Sequence, residues 1–347
     1  MNVETRITII LMCAVFTLCS CTKKAITPTE DPQPSVVDFR ASSQATWVKS
    51  ASTTFSDYHS DFGVWGIARQ GNLTYNLWGY NTALVQVTKN ASNCYVPTVD
   101  AYWLSGYVYN FLAVAPYNDS GMSSILVTPA VTSETEDVLK FNYDLTSKYT
   151  ATTPIYTFDL LGAAAETDPI TGGRTDSQDL KFWHLFSQIN LTIKFGKDGA
   201  NNGINGKVKA IRFSPEPKAS FEISYDSSST EDGAQPIINT AVITQTQKPV
   251  LEFTTNVAEA SVGPINIVPQ APANILLEVD ITIQEDAVTA VDYTLTIDLN
   301  AAQAPEKYLS NNKYNYTITI GNKAAITFDV SVNDWETPEG EIPEIDM

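Results

Sequence analysis

The sequence predicts an all-β protein built of antiparallel β-sandwiches, and three observations carry that prediction. Apolar residues recur at every second position over many short windows, turn residues punctuate those windows, and no window holds a long 3.6-residue apolar period. Strict alternation puts one face of a strand against a core and the other in water, and many short strands at this spacing make sandwiches. At 347 residues the chain is long enough for two domains, each able to bury its own core.

The chain opens on Arg6 and an apolar run from Ile7 to Phe16. That run is too short to cross a bilayer core of about 30 Å as a helix, so residues 1–20 read as a signal peptide. It leads into Leu18-Cys19-Ser20-Cys21, the pattern that a lipoprotein signal peptidase accepts. The predicted mature chain begins at Cys21, which carries the lipid and is the only contact with the membrane. Residues 21–35, with Pro28, Pro32 and Pro34 and no apolar periodicity, read as a flexible tether. Folded sequence is expected from Val36.

In the first half, strands are expected at Phe62–Ala68, Thr82–Val87, Tyr107–Ala115 before Pro116, Val138–Tyr143 and Ile155–Phe158. A Gly-, Asp- and Thr-rich loop follows at Thr167–Asp179. Alternation is clearest in the second half: Ile189, Leu191, Ile193, Phe195; then Ile275, Leu277, Val279, Ile281, Ile283; then Val291, Tyr293, Leu295, Ile297, Leu299. Tyr314, Tyr316, Ile318, Ile320 and Ile326, Phe328, Val330, Val332 close the series, joined as a hairpin through Gly321-Asn322-Lys323. Loops are expected at Gly196–Gly203 and Asp232-Gly233, and short helical turns around Thr157–Ala165 and Ala301–Leu309. Between Leu180 and Gln188 the character of the chain changes. Residues 36–186 are therefore read as an N-terminal domain and 187–347 as a C-terminal one with a short acidic tail.

Composition narrows the function. With 21 Lys+Arg against 39 Asp+Glu the formal net charge is −18, a field that repels phosphate backbones and argues against nucleic-acid partners. Of 4 cysteines, Cys13 and Cys19 leave with the signal and Cys21 takes the lipid, so Cys94 is alone and the mature chain has no disulfide. Cys94 reads as a small hydrophobe. The 2 histidines, His59 and His184, stand far apart, and no His-x-x-x-His, Cys-x-x-Cys or His-Glu-x-x-His spacing occurs, so no metal site is expected. Gly-x-Ser-x-Gly and phosphate loops are missing from the sequence too, and no catalytic residue or cofactor is predicted. Asp198–Gly203 lacks the ligand spacing of a calcium loop and reads as a hairpin turn. The acidic runs Glu134–Asp137 and Glu231-Asp232 read as solvated surface.

Several segments, taken in order, resemble one family. Phe182-Trp183-His184-Leu185-Phe186-Ser187-Gln188-Ile189 fits an F-x-H-x-x-S-x-I/V pattern. Asp61-Phe62-Gly63-Val64-Trp65-Gly66 fits an early Phe-Gly-Val strand, and Trp103 through Tyr109-Asn110-Phe111-Leu112-Ala113-Val114-Ala115-Pro116 fits a W…(Y/F)-x-F-x-A-x-x-P strand. Tyr314–Ile320, Ile326–Val332 and Asp334-Trp335 fit a closing hairpin with Asp-Trp. Behind a lipobox, these segments resemble the fimbrillin-like lipoproteins of Bacteroidetes, the subunits and accessory proteins of type V pili.

The resemblance implies two tandem transthyretin-like sandwiches, lipid-anchored display at the outer-membrane surface in a fimbrium, and assembly with other pilus subunits by donor-strand exchange. In that scheme a protease cutting after a basic residue removes the first strand, and a neighbour's strand fills the groove. The candidate removable strand is Ser35–Ser42, with Val36, Val37 and Phe39 as its apolar positions. Lys49 and Arg40 are the candidate cleavage residues. Where relatives carry Thr-Arg-Ala, this chain has Thr46-Trp47-Val48-Lys49-Ser50-Ala51. A host or bacterial surface ligand would be an additional partner. The competing reading is a surface glycan-binding lipoprotein that stacks sugars on exposed aromatics among Trp65, Tyr75, Trp78, Tyr80, Tyr102 and Trp103, with Trp78 and Trp103 foremost.

Overall fold

A computed structural model of the chain describes residues 35–43, 59–79, 83–91, 94–130, 136–149, 158–170, 176–197, 203–227, 236–284, 289–300, 305–321 and 326–334. The signal peptide, Cys21, the tether, Lys49 and the acidic tail lie outside the described residues, as does Ile155–Thr157.

The first half supplies β1 (Phe39–Ser43), β2 (Asp61–Gln70), β3 (Leu73–Asn76), β4 (Val85–Lys89) and β5 (Tyr95–Pro97). It continues with β6 (Val108–Ala115), β7 (Met122–Thr128), β8 (Val138–Asp144), β9 (Leu161–Glu166) and β10 (Gln178–His184). The second half supplies β11 (Ser187–Phe195), β12 (Gly206–Ser214), β13 (Lys218–Ser224), β14 (Ile237–Val242) and β15 (Leu251–Val257). Last come β16 (Glu259–Ile267), β17 (Leu276–Gln284), β18 (Ala290–Ile297), β19 (Asn312–Ile320) and β20 (Ile326–Asp334). A 3-10 turn at Pro272–Asn274 is the one helical element among the described residues.

The strands of the first sheet close on themselves. β2 pairs with β4, β4 with β5, β5 with β1 and β1 with β10, the last in parallel. The circuit continues from β10 to β9, from β9 to β6, and from β6 back to β2, while β3 hangs on the far end of β2. Inside this ring lies an aromatic-rich core in which Phe39, Phe62, Phe111 and Phe182 are fully buried. Gly66 lets β2 and β6 press together: a Cβ there would meet Phe111 at 2.9 Å.

Outside the ring, two four-stranded sheets, β16-β11-β19-β20 and β15-β12-β17-β18, make a sandwich. The inward residues of both, among them Ile189, Leu191 and Ile193 of β11 and Leu277, Val279 and Ile281 of β17, belong to one apolar cluster. A fourth sheet, β14-β13-β8-β7, links the two parts of the chain. β8 and β13 lie on opposite sides of position 186 in sequence, yet they pair from Lys218↔Asp144 to Ser224↔Val138. Trp65, Ile67, Leu112 and Val114 turn outward from the ring and join this second cluster with Phe141 and Phe221. β2 and β6 are thus covered on both faces.

Two expectations need correction. The segment around Thr157–Ala165 is not a helical turn where it is described: Leu161–Glu166 is β9, flanked by β6 and β10. Buried on both faces from Leu161 to Ala165, it has no polar positions to reveal a period of two. Residues 305–309 carry no helix either; Tyr308 is fully buried there with its hydroxyl 2.6 Å from that of Tyr316.

Candidate functional site at the seat of the first strand

β1 closes the ring, and few backbone pairs hold it there. Along one edge it runs parallel to β10 from Phe39↔Gln178 to Ser43↔Phe182; along the other it meets β5 only at Phe39↔Tyr95. The residues before it are fixed by Val37 N–H donating to the Ala101 carbonyl (2.8 Å), Trp103 N–H to Ser35 (3.0 Å) and Gln178 N–H to Asp38 (2.8 Å).

Side-chain packing contributes the rest. Val37 and Phe39 are fully buried, with Ala41 packed against the same core, whereas Val36 and Arg40 face outward. The Phe39 ring meets Phe111 edge-on at 5.1 Å and Phe62 at 6.0 Å. Phe62 in turn contacts Phe182 at 5.2 Å and Tyr95 at 5.5 Å. Burying a side chain of this size contributes about 1.5–3 kcal/mol, and each edge-on ring pair about 0.5–1.5 kcal/mol more. Phe39 is therefore the plug of the ring core. Of the three predicted apolar positions, Val37 and Phe39 enter that core and Val36 does not, because successive side chains of a strand point to opposite faces.

Arg40 faces its register partner Asp179 with Nε–Oδ1 at 3.2 Å; both side chains are largely exposed, so the pair adds little stability. The other candidate cleavage residue, Lys49, falls between Ser43 and His59, outside the described residues. The loop from Thr98 to Tyr107 covers one end of the seat. Tyr109 ties it down: its hydroxyl accepts the Leu104 N–H and donates to the Tyr102 carbonyl (3.2 Å), and burial pushes its pKa up.

At the other end of β10 lies the F-x-H-x-x-S segment. Phe182 enters the ring core and Phe186 the second cluster, so the segment stitches one core to the other. Buried His184 places Nδ1 2.5 Å from Asp159 Oδ2. Ser187 Oγ donates to the Leu309 carbonyl at 2.8 Å, Ser310 Oγ returns to Leu185 at 2.9 Å, and Asn311 N–H donates to Phe186 at 2.9 Å. These residues fix a crossing of the chain. His59, just ahead of β2, lies within electrostatic reach of Asp159, Asp61, His184 and Asp119. Burial lowers its pKa, against the raising effect of the carboxylates. Asp159 thus pairs with His184 and lies within electrostatic reach of His59, a juxtaposition that nothing in the spacing of the sequence announces.

The aromatics invoked for glycan binding are mostly elsewhere. Trp65, Trp78 and Trp103 are buried; the Trp78 indole donates to the Val99 carbonyl at 2.9 Å, and Trp103 packs on Tyr109 at 4.8 Å. Trp78 and Trp103, the foremost candidates of that reading, are core residues, whereas Tyr75 and Tyr102 are exposed; Tyr80 lies outside the described residues. Asp137 is likewise not solvated surface. It is buried and receives both Arg69 guanidinium nitrogens, at 2.7 and 2.5 Å, together with Asn110 Nδ2 at 3.0 Å. Cys94 is half-buried with its Sγ 3.9 Å from Ser177 Oγ.

Comparison with known proteins places the chain. No curated protein matches it. Among solved structures it is similar to a fimbrial protein from Bacteroides vulgatus, at 12% identity and TM-score 0.50, covering 86% of this chain and 99% of that one. A candidate cell adhesion protein from Bacteroides uniformis shares 18% identity at TM-score 0.44, with 86% and 99% of the two chains covered. For a fimbrial assembly protein from Parabacteroides distasonis the values are 12% identity, TM-score 0.39, and 86% and 99%. A profile of the fimbrillin-like family matches residues 48–335, most of the sequence: the chain belongs to the fimbrillin-like family.

Proposed function

We propose that the chain is a structural adhesion protein of the cell surface, a pilus subunit or an anchor or accessory subunit, that assembles by donor-strand exchange at the seat of β1. Family membership supports the pilus-related role. The observation that carries the strand-exchange reading is β1 itself, a short strand whose removal opens a closed ring, frees the edges of β5 and β10, and uncovers the pocket around Phe39. An alternating strand from a neighbour satisfies that pocket by presenting apolar residues at the Val37 and Phe39 positions. Cutting at Lys49 leaves β1 covalently free of β2. Cutting at Arg40 requires β1 to leave the sheet first, since proteases bind their substrates as extended strands and this one is already paired.

The rest of the reading follows the chain. Residues 1–20 direct export, Cys21 carries the lipid to the outer membrane, and the acyl chains leave with β1 when a shaft subunit matures. Residues 36–186 and 187–347 are two domains, the first with the ring core, the two held together by the sheet that β8 and β13 share.

Limited trypsin treatment of the chain from Cys21 onward tests this. Besides cuts after Lys23 and Lys24 in the tether and after Arg174 in the Thr167–Asp179 loop, the expected result is an early cut after Lys49, read by mass, with loss of residues 21–49 and a ladder of oligomers that resists cold detergent and collapses on boiling. A synthetic peptide of residues 35–43 added in excess should block the ladder. A trypsin-cut chain that stays monomeric and retains its N-terminal fragment would overturn the strand-exchange reading.

A further inference from the structure

We propose that the end of the ring from which the N-terminal segment departs docks on a zwitterionic lipid surface while the chain is anchored through Cys21, a proposal that rests on the lipidation read above. Large apolar side chains gather there in the open: Leu73 (52% exposed), Tyr75 (47%), Val99 (49%), Tyr102 (45%), Leu104 (40%) and Val36 (36%). They form one neighbourhood. Val36 bridges Tyr102, and Trp103 N–H donates to Ser35, so the departing chain passes through the patch. The Gln70 side chain at the tip of the β2–β3 hairpin lies against Gly106, Tyr75 packs on Tyr107 at 5.6 Å, and the buried Trp78, just past β3, donates to the carbonyl of Val99, so β3 runs beside the loop from Thr98 to Tyr107.

The chemistry selects the occupant. Tyrosines with aliphatic neighbours suit the boundary between headgroups and acyl chains, where a ring has an apolar body and a hydroxyl in water. Asp100 stands exposed within the patch and the whole chain carries −18, so an anionic surface is disfavoured and a zwitterionic one is not. Reach supplies the second argument. The fourteen peptide steps from Cys21 to Ser35 span at most about 50 Å, at roughly 3.3–3.6 Å per residue. A chain held at Cys21 therefore keeps this end near the bilayer at high effective concentration, where contacts too weak to act alone suffice.

Maturation then has a further effect. Loss of β1 removes Val36 and the tie between Ser35 and Trp103, so the same cut that opens the ring takes the patch off the membrane.

The test couples the chain from Cys21 onward, carrying Cys94→Ala, through its Cys21 thiol to a maleimide lipid in phosphatidylcholine vesicles. Hydrogen exchange is compared with that of the uncoupled chain. The expected result is slowing by at least about fivefold in residues 70–76 and 98–107, with β17 and β18 unchanged. Leu73→Ser with Tyr75→Ser, both at exposed positions, should abolish the slowing in a chain that remains folded. Unchanged exchange on vesicles overturns the proposal. Slowing that appears in the uncoupled chain as its concentration rises also overturns it, by assigning the patch to a second copy. The intact mass of the chain from its own membranes reads lipidation separately. An unmodified Cys21 sinks the anchoring and the proposal with it, whereas an acylated Cys21 with unchanged exchange sinks the docking alone.

Discussion

The ring and the sandwich are both β-structure, but they are held together differently. In the sandwich, neighbours share long registers: β11 runs beside β19 from Gln188↔Lys313 to Phe195↔Ile320, and β12 beside β17 from Gly206↔Ile283 to Ser214↔Leu276. In the ring, β5 meets β1 at Phe39↔Tyr95 alone, and β10 meets β9 only at Trp183↔Gly162 and His184↔Leu161. Their cores differ in kind as well. The sandwich interior is largely Ile, Leu and Val, whereas rings from Phe39, Phe62, Phe111, Phe182, Trp103 and Tyr109 converge inside the first sheet. β2 and β6 keep a long register within the ring, from Gly63↔Val114 to Arg69↔Val108, so its short ladders are those of β1 with β5 and of β10 with β9.

The ring and the sandwich should part most visibly when the plug is removed. Phe39→Ala should cost about 3–5 kcal/mol by the lost transfer and the cavity left behind. Urea unfolding should become biphasic, with Trp fluorescence of the ring changing first and the sandwich following at its original midpoint. Coincident unfolding of both parts at one lower midpoint would show a single cooperative unit instead.

Leu191→Ala, in the strand paired to both β16 and β19, should cost about 2–5 kcal/mol but act on the other part. The expected signature is faster hydrogen exchange in β11, β16 and β19, with the rate of trypsin cutting after Lys49 unchanged. A faster cut would mean that sandwich stability feeds into the seat of β1.

His59 probes the junction. Its pKa is lowered in the folded chain, so the unfolded chain binds the proton first and stability falls as pH drops below 6.5. One titrating group contributes at most about 1.4 kcal/mol per pH unit in that window. His59→Gln should flatten the urea midpoint between pH 6.5 and 5 relative to the parent; an unaltered slope assigns it to carboxylates. The smallest effect belongs to Arg40→Ala, which removes an exposed ion pair with Asp179 and should shift the midpoint by no more than about 0.5 kcal/mol.

How much of this was legible beforehand depended on whether a strand had one wet face. β17 alternates buried and half-buried residues along its length, and the sequence declared it through Leu277, Val279, Ile281 and Ile283. β9 is covered on both sides and built of small residues, so Leu161-Gly162-Ala163-Ala164-Ala165 looked like helix. Gly162 shows how close the cover is: a Cβ there would meet Ile223 at 2.7 Å and Leu185 at 2.8 Å. Non-local pairing was equally hidden. Nothing in the alternation of β8 announces β13 as its neighbour, and nothing near His59 announces Asp159. For the candidate site, Val37 and Phe39 were legible as apolar positions of a first strand, but their place as the plug of a ring depends on contacts with Phe62, Phe111 and Phe182, each from a different strand.

The β8–β13 pairing bears on what makes this chain one particle. Together, β8–β13 and β9–β10 join material from before residue 171 to material from after residue 175. We expect covalent continuity across that interval to be dispensable once the molecule has folded. A chain severed there should migrate as one body in native gels and fall into two pieces only in denaturant, and two separately made pieces should find each other through those strands. For a protein whose proposed working life includes being cut once by design, tolerance of a second break is a useful property of its topology.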